Sequence, residues 1–473
     1  MGNATATLTL RAPERWQRRL DELAARHGVP GAQLAVRRIS DNASAHGPIE
    51  VATTGVLNLS TGVTTAAESL FEIGSVTKVW TTVLLMQLVD DGLLDLDAPV
   101  VSVLPGFTLR DSEAASRITV RHLLCHTSGI DGDLFIDTGR GDDAVERYVD
   151  GLRNARIIHP IGGRFSYCNS GFVIAGRIIE VLRGADWDTV LREKLIEPLG
   201  LQRTVTLPEH AVAHTAAIGH NDRLEPLRAW GVPRAMGPAG SIASSVSDLV
   251  VFATAMESHG LAENGHRILS AESARRMREH QADLPREVAR FTGWGLGWFL
   301  EQWGNQDVYG HDGGTVGQRA FLRVLPESGI IVSLLTNTTV PSSALYLDLL
   351  HELTAEWGVG TPPRFDPVSD YRADPAELEA YAGTYSTDAM DVRVEVSGNG
   401  LSMASREKLS LDPDANTGEF GEPVTLVPLA KSRFAYRTSP SGVWDEAAFP
   451  STPEATYLHL AHRLLPKVAS PVR

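Results

Sequence analysis

Serine and lysine three residues apart, at the mouth of an apolar run, open the chemistry of this chain. They lie in Phe71-Glu72-Ile73-Gly74-Ser75-Val76-Thr77-Lys78, which leads into Val79, Trp80, Val83, Leu84, Leu85, Leu88 and Val89. Apolar positions recurring at three and four residues predict a helix. Ser75 then falls in its first turn, with Lys78 one turn along on the same face. A helix start offers unpaired N–H groups and a positive dipole end, which favour a nucleophile whose reaction develops negative charge. A free lysine, with a pKa of about 10.4, is a cation and accepts no proton. Burial lowers that pKa and leaves an amine able to draw the proton from Ser75. On this segment alone, a serine N-cap followed by a surface lysine explains the pattern equally simply.

Two further stretches carry matching residues. Gly163-Arg164-Phe165-Ser166-Tyr167-Cys168-Asn169-Ser170-Gly171 is predicted as a turn before a helix. Tyr167 can relay a proton beside a lysine, and Asn169 can hold a substrate carbonyl or orient a lysine. The alternative is a half-buried aromatic and a helix cap. Gly310-His311-Asp312-Gly313-Gly314-Thr315-Val316-Gly317 reads as the opening of a strand dense in glycine. Glycines such as Gly313 and Gly314 at a strand edge admit a ligand backbone, and an exposed N–H there can stabilise an oxyanion. His311 can donate to, or exchange protons with, the reacting group. A plain glycine-rich hairpin with a surface histidine is the alternative.

The elements that must hold these residues follow from periodicity. Pro13 to His27 reads as an amphipathic helix with Trp16, Leu20 and Leu23 on one side, broken by Gly28-Val29-Pro30-Gly31. Ala32–Arg37 and Ile49–Leu57 read as strands. From Asp90 to about Glu279 the chain is mainly helical and loop-like, with helices over Ile118–Leu124, Phe172–Leu182, Trp187–Leu195 and Val246–Met256. Strand patterns return over Gly293–Leu300, Ala320–Leu325 and Ile330–Thr336, and Ser343–Trp357 forms a late helix. Strands on either side of the helical block are expected to share one sheet, with the site in the cleft between sheet and helical subdomain. Residues 361–375, rich in proline, read as a linker between a domain over residues 1–360 and another over 376–473. In the latter, short strands such as Val392–Val396, Val424–Leu429 and Thr456–Ala461 predict a small all-β barrel or sandwich.

Composition excludes several functions. A net charge of −15 over 473 residues leaves no basic face for nucleic acid. No apolar run reaches the length that spans a membrane. Two cysteines, Cys125 and Cys168, make no disulfide framework and suit a reducing compartment. The start of the chain lacks a secretory pattern, so a cytoplasmic location is expected. No His/Cys/Asp/Glu cluster has ligand spacing, so neither metal nor cofactor is expected.

Taken together, Ser75-x-x-Lys78, Tyr167-x-Asn169 and His311-x-Gly313, in that order, resemble the serine hydrolases of the class C β-lactamase and D-alanyl-D-alanine carboxypeptidase family. Leu123-Leu124-Cys125-His126-Thr127-Ser128-Gly129, Ala239-Gly240-Ser241-Ile242, Gly295-Leu296-Gly297-Trp298 and Leu334-Leu335-Thr336-Asn337 are similar to other motifs of the family, and the resemblance covers roughly residues 15–355. It implies an α+β fold: an antiparallel sheet flanked by helices, with a helical subdomain. The C-terminal part, through Tyr381-Ala382-Gly383-Thr384-Tyr385, resembles a lipocalin-like appendage.

The resemblance implies roles. Ser75 would be acylated, with Lys78 its base or the group that keeps the base poised, and Tyr167 the proton shuttle. Asn169 would hold the acyl side chain and Lys78. Backbone N–H groups of Ser75 and Gly314 would form the oxyanion hole. His311 stands where the β-lactamases carry lysine, as in peptidase and esterase relatives. Cys168 reads as a small buried residue. The expected reaction is cleavage of an amide or ester of a small molecule or short peptide. Transfer of the acyl group to an alcohol or amine, and a non-catalytic penicillin-binding role, are the alternatives.

Overall fold

The computed structural model describes residues 9–40, 46–284, 291–365, 367, 369–411, 417–439, 442–452 and 455–469. A nine-stranded sheet organises the first three quarters of the chain. Its strands are β1 (Thr9–Arg11), β2 (Gly31–Arg38), β3 (Ile49–Asn58), β4 (Val63–Thr64), β8 (Gly293–Trp294), β9 (Phe299–Trp303), β10 (Gln306–Gly314), β11 (Arg319–Leu325) and β12 (Ile330–Thr336). They run in the order β1-β3-β2-β12-β11-β10-β9-β8, with β4 paired to β3. N- and C-terminal strands therefore do share one sheet, joined where β2 pairs antiparallel with β12 from Ala32↔Thr336 to Arg38↔Ile330. The three remaining strands, β5 (Phe71–Glu72), β6 (Thr204–Val205) and β7 (Ala243–Ser244), form a small separate sheet.

Helices cover both faces of the large sheet. On one lie α1 (Glu14–His27) and the late helix Val340–Trp357, whose Leu345, Leu349 and Leu353 pack with Trp16, Leu20 and Leu23 over Leu34, Val332 and Phe321. On the other, α2 (Thr77–Asp90) is buried almost all round between Thr77 and Leu88. A helix apolar on every side belongs in a core. Trp80 stacks on Phe252 with ring centroids 3.9 Å apart, and α3 (Asn169–Arg183) packs beside α2.

Two expected elements differ in detail. Gly293–Leu300 is not one strand: Gly297, at φ +74°, turns the chain between β8 and β9. The histidine segment does not open a strand. It closes one, because β10 already begins at Gln306 and pairs with β9 through Tyr309 and Gly310.

The C-terminal part is a closed barrel of eight strands in sequential order, β13 (Gly383–Ser386), β14 (Met390–Ser397), β15 (Gly400–Glu407), β16 (Val424–Ala430), β17 (Arg433–Tyr436), β18 (Asp445–Ala448), β19 (Tyr457–Leu460) and β20 (Arg463–Val468). Its core of Tyr385, Val392, Leu401, Leu426, Phe434, Phe449, Leu458 and Leu465 is separate from that of the large sheet. Closure removes the exposed strand edges that an open sheet would carry. The hairpin tip between β19 and β20, Ala461-His462, has positive φ at both residues (46° and 67°), the geometry of a tight two-residue turn. That tip rests on the larger part of the molecule. His462 O accepts from Tyr167 N at 2.8 Å, and Leu464 N donates to Ser166 Oγ at 3.1 Å.

Candidate active site

The nucleophile turn is built by a close approach of backbones. Gly74-Ser75-Val76 forms a 3₁₀ turn that runs into α2, and Gly74 takes φ +50°. A Cβ on Gly74 would lie 2.6 Å from Gly314 N, and one on Gly313 would lie 1.8 Å from Ile73 O and 3.2 Å from Ser75 N. Glycine is required at both places, because only its absent side chain lets the end of β10 lie against the turn. The Ser75 and Gly314 amide nitrogens both lie at this contact between the two backbones.

Ser75 is partly exposed while the groups around it are buried. Its Oγ lies 2.9 Å from Lys78 Nζ, which also donates to Ala239 O at 2.7 Å. Lys78 has no exposed surface, and burial holds its pKa well below the ordinary lysine value, with Arg463 pushing the same way and Asp133 opposing. Burial thus favours the uncharged amine, whose lone pair can accept the Ser75 proton. The Tyr167 hydroxyl hydrogen-bonds Ser75. Burial raises the phenol pKa above its usual value, against the lowering effect of that bond and of Arg463. The Tyr167 ring lies 5.0 Å from Lys78 Nζ and is stacked on His126 at 4.2 Å.

His311 is 2% exposed and its Nδ1 lies 2.6 Å from Asp312 O. A carbonyl only accepts, so Nδ1 carries the proton and Nε2 keeps its lone pair. Nε2 is buried without a partner. Burial, with Lys78 nearby, pushes the imidazole down to about 3. Nε2 is therefore a neutral hydrogen-bond acceptor of low basicity, which carries no proton to donate. Behind it, Arg323 pairs with Asp312 at 2.6 Å and Glu301 at 3.0 Å, which fixes β10 from below.

Asn169 departs from expectation. Its Nδ2 donates to Asp133 Oδ1 at 2.6 Å, and it makes no hydrogen bond to Lys78. Lys78 is held instead by the Ala239 carbonyl, from the Ala239-Gly240-Ser241 loop. Asn169 is not the helix cap either: Cys168 takes that place, its Sγ accepting from Gly171 N. Cys168 is buried and free, and burial raises its thiol to about 12, so it is no competing nucleophile.

Sequence reasoning missed Asp133 and Arg463. Arg463 at the start of β20 pairs through Nε with Asp133 Oδ2, and its guanidinium lies 5.0 Å from the Tyr167 ring centroid. The two partners are 330 residues apart, and an arginine opening a barrel strand has no local signal. Glu72 was also missed. It is 2% exposed, and its Oε2 accepts from Thr315 Oγ1 at 3.0 Å and Gln318 Nε2 at 2.9 Å, clasping the β10–β11 turn to the nucleophile segment. No group of three or more metal-ligating side chains gathers among the described residues.

Serine beside a buried lysine, with a tyrosine and a glycine-rich strand end on a sheet flanked by helices, defines a serine hydrolase of the β-lactamase/transpeptidase fold. This chain belongs to the Beta-lactamase family, whose model matches residues 16–356. It is 43% identical to penicillin-binding protein 4 of Amycolatopsis lactamdurans over 380 residues, 79% of this chain and 97% of that one. A crystal structure of SurE with D-Leu superposes with a TM-score of 0.75 at 27% identity, covering 96% of this chain and 99% of SurE, so the likeness extends through the barrel. The D-amino acid amidase of Ochrobactrum anthropi SV3 is similar over 68% of this chain and 92% of its own, with a TM-score of 0.55 and 25% identity. No described helix is long and apolar enough to cross a membrane.

Proposed function

We propose that this protein forms an acyl-enzyme on Ser75 and cleaves an amide or ester bond of a small molecule or short peptide. The observation that carries the reading is the 2.9 Å approach of Ser75 Oγ to a lysine amine with no exposed surface. Lys78 Nζ takes the hydroxyl proton as Oγ bonds to the acyl carbon, and the carbonyl oxygen becomes an oxyanion facing the Ser75 and Gly314 amides. Collapse breaks the bond to the departing nitrogen or oxygen, which leaves with a proton passed through Tyr167. In the second half a water gives its proton to this same set of groups, and the His311 Nε2 lone pair can accept a hydrogen bond from the attacking water. The free acid leaves and Ser75 recovers its proton.

Transfer to an amine or alcohol is the second reading. Two observations favour it. The barrel tip covers the Tyr167 side of the site, and SurE, similar along the whole chain, was crystallised with an amino acid. In this reading the enzyme works in the cytoplasm on metabolite donors and acceptors, without metal or cofactor. A fluorophosphonate should label Ser75 within minutes, whereas an unlabelled Ser75 rejects catalysis in favour of a binding role. A screen of D-aminoacyl amides, short esters and β-lactams at rising amine or alcohol concentration then separates the two reactions. Free acid alone at every concentration, with chemically varied acceptors, excludes transfer.

A further inference from the structure

The short helix Val120–Leu124 is stopped at His126, which takes φ +58°. Thr127 N donates to His122 O at 2.9 Å and His126 N to Leu123 O at 3.5 Å, the pattern by which a left-handed residue ends a helix. Glycine fills such a place without steric cost, whereas a residue with a Cβ does not. The side chain also has no exposed surface. A helix stop alone therefore gives no reason for an imidazole here. Its contacts do. Ser166 N donates to His126 O at 2.9 Å and Cys168 N to its Nδ1 at 3.0 Å, so the residues on either side of Tyr167 are both tied to His126. Between these two bonds the His126 ring stacks on the Tyr167 ring, with centroids 4.2 Å apart and planes 26° from parallel. Phe172 at 5.3 Å and Trp294 at 5.0 Å pack against the same imidazole. A backbone N–H only donates, so Nδ1 offers its lone pair and the proton sits on Nε2, which has no hydrogen-bond partner. The ring is thus neutral, and it braces Tyr167 without bringing a second cation beside Lys78.

We propose that His126 is a positioning residue for the acylation of Ser75: it holds the Tyr167 ring and so keeps the phenol hydroxyl on the serine. The Tyr167 hydroxyl hydrogen-bonds Ser75. Rotation about the Cα–Cβ bond of Tyr167 would swing that hydroxyl away, and a ring packed on the phenol face blocks the swing. The bonds from Ser166 N and Cys168 N fix the backbone on which the phenol is mounted. A reacting group held in line before reaction keeps its rate, whereas a misplacement of about 1 Å costs on the order of 10²-fold. The proposal rests on the acyl-enzyme reading above and adds a residue that acts through Tyr167.

The test is a double-variant cycle on the full chain, read as the rate at which a fluorophosphonate labels Ser75. His126→Gly keeps the left-handed turn and removes both the ring and Nδ1, and it should slow labelling about tenfold or more in the wild-type background. In a Tyr167→Phe background there is no hydroxyl to aim, and the same substitution should change the rate by a factor of about one. A loss of folded enzyme lowers both rates alike. A wild-type factor less than about threefold above the Tyr167→Phe factor therefore overturns the proposal. Should His126→Gly fail to fold, His126→Asn takes its place under the same criterion. Asparagine tolerates the left-handed turn and its Oδ1 can accept from Cys168 N, so only the stacked ring is lost. Labelling of Ser75 with equal factors in the two backgrounds sinks this inference alone. Absent labelling in the wild type sinks the acyl-enzyme reading first.

Discussion

At the scale of single residues, the site depends on keeping charges out of its centre. Lys78 is a cation in water, and burial drives its pKa down; burial also drives the His311 imidazole, mostly neutral in water already, down to about 3. Ser75→Ala should abolish turnover and covalent labelling while the melting temperature stays near that of the wild type. Labelling retained in that variant and lost in Cys168→Ala would move the nucleophile elsewhere. Lys78→Ala should slow acylation about 10²–10⁴-fold, the range of a positioned proton acceptor, read as the labelling rate. A near-normal rate would mean that another base serves Ser75. Glu72 gives a prediction about pH. Its carboxyl is raised from 4.5 to about 7 by burial, against hydrogen bonds from the neutral Thr315 and Gln318. The folded state thus holds the proton more tightly than the unfolded chain, and stability from this group is lost as pH rises from about 4.5 through 7. Glu72→Gln removes that loss. Its unfolding free energy, read from denaturant titrations, should equal or trail the wild type at pH 4.5 and exceed it above pH 7.5, by an amount on the order of 1–3 kcal/mol. A pH-independent difference would show that Glu72 does not titrate in the fold.

Among the elements, the decisive contact is β10 against the turn at Ser75. It exists because Gly74 and Gly313 lack side chains exactly where two backbones meet. Gly313→Ala would drive a methyl group into Ile73 O, and the strand end must move off the nucleophile turn. Displacing one oxyanion donor costs about 10²–10³ in rate, so acylation should fall by at least that much while far-ultraviolet circular dichroism is unchanged. Activity within threefold of wild type would exclude the Gly314 amide from the oxyanion hole.

For the whole molecule, the barrel is more than an appendage in its contacts. Besides the two hydrogen bonds from its last hairpin, Asp388 N donates to Asp131 Oδ2 at 2.8 Å and Asp388 pairs with Arg156 at 3.0 Å. Its core nevertheless stands apart from that of the large sheet, and we propose that residues 1–365 fold alone. That fragment should unfold cooperatively yet label more than tenfold slower, because the partner of the Tyr167 amide and the Arg463 guanidinium are gone. A full-length labelling rate would show the barrel irrelevant to the site. An insoluble fragment, with no proteolytic cut between Gly358 and Pro375, would make the chain one cooperative unit.

The sequence by itself determined everything that local pattern can encode. The period of the apolar run placed Lys78 one turn after Ser75, glycines marked where backbones touch, and alternation in the last hundred residues announced an all-β unit. These are short-range consequences of helix and strand geometry. Tertiary structure decided the rest. Burial of Lys78 and His311 depends on what packs above them, so their lowered pKa values are properties of the fold. Asn169 looked toward Lys78 in the motif but turns to Asp133, because a carboxylate 36 residues away outcompetes an amine already held by Ala239. Arg463 reaches Tyr167 only once the barrel has closed and its hairpin tip has docked. Contacts between residues hundreds of positions apart leave no periodic trace in one chain, since either partner alone is an ordinary charged residue on a strand or loop.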